Sequence, residues 1–209
     1  MGFLDWMGTK RDPSDALKKN PALRHGMLVM EMEQVKAQAN NLRAVGREND
    51  AKNLLMDFLV KIYEEWKKEP SNPSYLSLFT NASIQLEVPE MGKKTLEAVI
   101  KANQDHHFLD LTMVYLDLGR LVHQLHSNPE KEYWCYQMAI DAKAPPKTKY
   151  PASKRMKAKA HLFAAGPAML AEGSADQVQY HEAECRRLAP DVDFKSLAAK
   201  AKFVQDTQG

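Results

Sequence analysis

Residues 51–69 read AKNLLMDFLVKIYEEWKKE, and within them Leu54, Leu55, Phe58, Leu59, Ile62, Tyr63 and Trp66 recur at alternating steps of one and three. That spacing gathers seven large side chains onto one broad side of a helix of about five turns. Pro70-Ser71-Asn72-Pro73 ends this helix and opens the next. Towards the N-terminus, Leu23, Met27, Met30, Val35, Ala39 and Leu42 predict an amphipathic helix over Ala22–Val45, with Gly46–Asp50 as a tight turn between the two. Towards the C-terminus the same period predicts helices over Ser74–Leu86, Glu90–Asn103 and His107–His126. The last of these is apolar nearly all round, the mark of a helix contacted on several sides. Ser127 or Asn128 can cap a further helix begun by Pro129 and running to about Ala142. Helices over Ala152–Glu172, kinked or broken at Gly166-Pro167, over Ala175–Leu188 and over Phe194–Val204 complete the set.

The expected fold class is therefore all-α, with about nine helices and no strand. Linkers of about two to five residues make sequential neighbours antiparallel hairpins: one with two, three with four, five with six, seven with eight, and the ninth covering the exposed end. The expected domains are an aromatic N-terminal peg and linker over 1–13, a single helical domain over 14–205 and a polar tail over 206–209.

Small and aromatic residues sit at suggestive places in these hairpins. The helix around Tyr115 carries Leu118, Gly119 and Val122, and the next carries Tyr136 and Ala139 before Pro145. Further on, Leu162, Ala165, Gly166 and Met169 precede Val178, Cys185 and Pro190. Over about residues 22–190 this resembles a degenerate tetratricopeptide-repeat-like array of helical hairpins, with Val122 where an aromatic belongs. The resemblance implies a short solenoid whose groove holds partner proteins, and it implies no catalytic residues. The alternative is an irregular helical bundle.

Composition excludes several kinds of activity. Gly is 9 of 209 residues, below the usual share of roughly 7%, which leaves few phosphate-cradling loops. No Gly-rich nucleotide motif and no nucleophile-elbow motif is present. No apolar run approaches the roughly 20 residues of a membrane span, and no secretory leader is visible, so the cytoplasm, free or at the periphery of a membrane or large assembly, is the expected compartment. Cys135 and Cys185, the only cysteines, read as reduced, buried thiols. The formal charge of +2 hides an uneven distribution: residues 1–80 carry a net +1, residues 81–142 a net −4, and residues 143–209 a net +5.

Four groups of residues are candidates for chemistry or binding. His106, His107, His123 and His126 cluster at one helix, yet no paired ligand motif accompanies them, and they read as surface or capping residues rather than a metal site. No catalytic residue and no cofactor is expected. Between Lys143 and Ala160 stand seven basic residues and no acid: Lys143, Lys147, Lys149, Lys154, Arg155, Lys157 and Lys159, with Tyr150 among them. Such a segment is either a solubilising face with a flexible linker or a surface that attracts an acidic protein face, nucleic acid or anionic lipid. Phe3, Leu4, Trp6 and Met7 form the peg, expected to dock on the first hairpin, to insert into a partner or membrane interface, or to stay disordered. Met27, Met30 and Met32 read as core filling.

The expected function is a non-enzymatic protein-protein interaction module, an adaptor or assembly subunit. Lys147, Lys149, Lys154, Arg155, Lys157 and Lys159 would meet an anionic surface, and Phe3, Leu4, Trp6 and Met7 would dock. The alternative is a binder of nucleic acid or of an anionic membrane surface through residues 143–160.

Overall fold

The structure, a computed structural model, describes residues 20–126, 128–171, 175–196, 200, 202 and 203. Among them are eight helices and no strand, so the protein is all-α. They are α1 (Pro21–Ala44), α2 (Glu48–Lys67), α3 (Ser74–Gln85), α4 (Pro89–His106), α5 (Thr112–Gln124), α6 (Pro129–Asp141), α7 (Lys154–Ala171) and α8 (Ala175–Leu188). The ninth helix predicted over Phe194–Val204 is not one of the eight; Lys200, Lys202 and Phe203 are helical, and much of that span lies outside the described residues. The peg at Phe3, Leu4, Trp6 and Met7 and the 206–209 tail also lie outside them.

The chain divides into two compact units, Met1–Phe58 and Leu59–Gly209. In the first, α1 buries Leu28, Met32, Val35 and Ala39, while Leu23, Met27 and Met30 are exposed. Val35 and Ala39 of the predicted face are thus buried, while its first half, Leu23, Met27 and Met30, is corrected, and with it the core-filling role of two of the three methionines. The first half of the helix carries two apolar stripes about 150° apart, and the one of Leu28 and Met32, which runs on into Val35 and Ala39, is buried. Gly46 takes φ +76° in the turn, where only a residue without Cβ is unstrained. Glu48–Asp50 form the first turn of α2 rather than loop, with Arg47 paired to Asp50 at 2.5 Å.

In the second unit, Leu59, Ile62 and Trp66 of α2 are buried, as the opening periodicity requires. Helix α3 packs on α4, α5 on α6 and α7 on α8, the hairpin partners expected; α4 also meets α5, and α6 meets α7. Helix α5 touches α3 and α7 as well, which makes it the central helix. It starts at Thr112, not His107. His107 ends α4 in the left-handed conformation, φ +45°. The Asn103 amide then clasps the Leu109 backbone on both sides: its Oδ1 accepts from Leu109 N at 2.8 Å, and its Nδ2 donates to Leu109 O at 3.2 Å. Asp110 Oδ1 accepts from Thr112 N at 2.9 Å and so caps α5. Asn128 Oδ1 does the same for α6, accepting from Glu130 N at 2.8 Å, with Pro129 in the first turn.

Helix α7 continues through Pro167, so the break offered as one of the two outcomes there does not occur. Ala164 and Ala168 are both fully buried, and packing on either side of the proline holds the helix where local propensity would end it. A smaller core closes the C-terminal end, formed by Ala158, Cys185, Ala189, Phe194 and Phe203.

Candidate functional site

Helices α3, α5 and α7 alternate with α4, α6 and α8, and α5 touches both of its second neighbours. Pro73, Ser74, Asp110, Met113, Lys149, Tyr150, Pro151, Ala152, Ser153 and Met156 line a cavity of about 310 Å³ at the N-terminal ends of these three helices. Asp110 sits in its wall, buried, and its Oδ2 accepts from Ala152 N at 2.8 Å, so the cap of α5 also fixes the chain entering α7. Tyr150 Oη donates to Glu69 Oε1 at 2.7 Å, which pins the other side and raises the tyrosine's pKa through that carboxylate bond.

One helical turn further along, the face becomes charged. Ser77 of α3 donates its hydroxyl to Asp117 Oδ2 of α5. Arg120 donates to Asp117 Oδ1 at 2.9 Å and to Asn81 Oδ1 of α3 at 2.9 Å. Asp117 is thus buried with both oxygens engaged. From α7, Lys159 enters the same seam only 5% exposed, its ammonium 5.8 Å from the Phe163 ring centroid. Burial holds its pKa down to about 8, with Asp117 pulling the other way.

The basic segment is therefore split. Lys143, Lys147, Lys149 and Lys154 are exposed, and Lys149 borders the cavity. Arg155 is exposed but engaged, donating to Asp191 at 2.7 Å and lying 5.4 Å from the Phe203 ring. Lys157 and Lys159 do not join the broad surface predicted for them. Lys157 Nζ donates to the carbonyls of Ala139, Ile140 and Ala142 at 2.7, 2.9 and 2.7 Å, where it caps the C-terminus of α6. Its partial burial lowers its pKa. The physical reason is helix geometry: steps of two and three within Lys154–Lys159 distribute these side chains around α7, and α5 and α6 cover part of that circumference.

His106, His107, His123 and His126 are all exposed, and His123 meets Glu132 at 3.1 Å. The histidines that come together are others. His161 of α7 and His181 of α8 are buried with their Nδ1 atoms 3.0 Å apart. Tyr133 Oη and Gln137 Nε2 of α6 each lie 3.2 Å from His181 Nε2. Burial lowers both pKa values, that of His161 to about 4, where the neighbouring His181 adds to the effect. Both rings are neutral at pH 7, one Nδ1 donating to the other. No local pattern marks this pair, because its members lie twenty positions apart on different helices; the only trace in sequence is that each is flanked by an apolar or aromatic residue, as in Ala160-His161-Leu162 and Tyr180-His181.

Among the described residues, no group of three or more His, Cys, Asp or Glu stands close enough to hold a metal, and no helix is long and apolar enough to cross a membrane. Cys135 and Cys185 are free and buried, and burial pushes each thiol up to about 12, far from the reactive range. Against known proteins, the chain matches no family model, no curated protein and no solved structure.

Proposed function

We propose that the protein is a non-enzymatic interaction module, an adaptor or assembly subunit, and that a segment of a partner protein binds along the face shared by α3, α5 and α7. The observation that carries this reading is the cavity of about 310 Å³ on that face, walled by Met113, Met156, Pro73 and Pro151, with the polar groups of Ser77, Asn81 and Arg120 one to two turns further along α3 and α5. Apolar walls with a few placed polar groups suit an extended or helical peptide. The order of contacts supports a stacked-hairpin arrangement of the tetratricopeptide-like kind: each helix packs on the next from α3 to α8, and α5 also packs on α3 and α7. Gly119 beneath the Tyr136 ring supports it further, as a small residue admitting a close helix pair.

The second reading, a nucleic-acid or anionic-membrane binder, draws on the exposed Lys143, Lys147, Lys149 and Lys154. It is weakened by the inward course of Lys157 and Lys159.

A quantitative pull-down separates the two. Three baits are compared: the intact chain, Met113→Lys on the cavity wall, and a charge reversal at Lys147, Lys149 and Lys154. Loss of a specific protein with Met113→Lys alone, in a complex that survives about 0.5 M salt, supports the groove. Loss with the charge reversal alone, together with steep and sequence-blind salt sensitivity, overturns it in favour of a polyanion.

A further inference from the structure

Lys159 is anomalous on this face. A buried ammonium is ordinarily paired, because leaving it alone in a poorly polarisable seam is unfavourable. Lys159 has no hydrogen bond and no ion pair among the described residues; its ammonium lies 5.8 Å from the Phe163 ring centroid. Asp117 makes neither a hydrogen bond nor an ion pair with it; its two oxygens accept from Ser77 and Arg120. Arg120 is also incompletely used: its two recorded bonds leave three of the five guanidinium N–H groups, and its side chain is 26% exposed. Summed over Asp117, Arg120 and Lys159, the seam carries one uncompensated positive charge.

We infer that Lys159 and Arg120 form a receptor for a single carboxylate, an Asp or Glu side chain of a bound polypeptide segment. This rests on the reading of the α3–α5–α7 face as the partner groove. The charge count selects the ligand. A monoanionic carboxylate neutralises the seam, whereas a phosphate dianion would leave an excess negative charge beside the buried Asp117. The planar carboxylate also suits the guanidinium fork. The cavity adds a second requirement. Met113 and Met156 lie one turn before Asp117 and Lys159, a displacement of about 5 Å along the helices. In an extended segment, side chains two residues apart project to one side about 7 Å apart. The groove therefore selects an acidic residue two positions from an apolar one, the carboxylate in the seam and the apolar group in the cavity.

The test follows the ε-methylene resonance of Lys159 in the full-length protein by NMR, assigned by its disappearance in Lys159→Arg. The probes are sodium acetate, acetyl-Leu-Ala-Asp-amide, acetyl-Leu-Ala-Asn-amide, sodium phosphate and sodium chloride, each up to about 50 mM, with chloride reading screening alone. The expected result is saturable movement with acetate and with the Asp peptide and a rise in the Lys159 pKa. The Asn peptide should bind at least about tenfold more weakly, and Arg120→Gln should weaken the Asp peptide by a similar factor. Lys159→Met should fold, because it replaces an unpaired charge by an apolar chain, and should not discriminate Asp from Asn. Response to phosphate without response to carboxylate, response no larger than with chloride, or no response at all would each overturn the proposal. A groove that captures partners while Lys159 ignores carboxylates refutes this inference alone; a carboxylate site on a face that contacts no partner refutes the functional reading.

Discussion

Between α5 and α6, Gly119 lies under the Tyr136 ring so closely that a methyl group there would stand 2.3 Å from its Cε1. Between α7 and α8, Gly166 borders a cavity of about 270 Å³ lined by Leu162, Ala165, Val178, Glu182, Cys185 and their neighbours, and a methyl group there would meet nothing within 4 Å. The two pairs carry small residues at corresponding places in the repeat-like spacing, yet only one uses its glycine to bring helices together. The other is joined by buried polar groups, His161 to His181 and Cys185 Sγ donating to Ala158 O at 3.2 Å, and Tyr133 of α6 ties His181 to the preceding helix. A small residue in sequence permits close approach; only the residue facing it determines whether the approach occurs.

The largest expected effect follows from that contrast. Gly119→Ala forces the Tyr136 ring aside in a filled interior and should cost about 2–3 kcal/mol in urea unfolding. A cost under about 0.5 kcal/mol would show that α5 and α6 are not closely apposed there.

Next comes the polar joint. His161 and His181 have folded pKa values below the 6.5 of the free side chain, His161 about 4. Their contribution is fully present above pH 6.5 and is lost as pH falls towards 4, because the unfolded chain takes up protons that the folded one resists. The urea midpoint should fall across that window, and His161→Gln should flatten the fall. An unchanged slope in the variant would place the pH sensitivity elsewhere.

The smallest effect belongs to the second glycine. Gly166→Ala should change stability by less than about 1 kcal/mol, since no neighbouring helix is displaced and the gain in helix propensity is offset by crowding of the new methyl group against the Pro167 ring. A loss comparable to that of Gly119→Ala would erase the distinction between the two pairs.

These contrasts also mark what the sequence revealed. Periodicity located all eight helices, because burial along a single face repeats every three or four residues, and Leu55, Leu59 and Ile62 do so. It misplaced the start of α5, where Phe108 and Leu109 continue the apolar run but Asn103 holds the backbone in a loop. In α1 it placed Val35 and Ala39 correctly but took Leu23, Met27 and Met30 for the buried side, since they are as apolar as Leu28 and Met32, which are buried instead. The candidate site was legible only as chemistry. Lys149 and Lys159 stood out as cations, but the assembly of Ser77, Asp117, Arg120 and Lys159 joins residues up to 82 positions apart on three helices, a relation no local pattern encodes. Lys157 misled for the same reason: three carbonyls of α6 claim a charge that in sequence belongs to a basic run.

The most direct test of the central claim is site-specific photocrosslinking in cells expressing the full-length protein. A photoreactive residue is placed in turn at Met113 and Lys149, which border the α3–α5–α7 cavity, and at Lys101, exposed on α4. The account predicts that the two cavity positions capture the same protein and that Lys101 does not. Capture from Lys101 alone, or equal capture from all three positions, would contradict it.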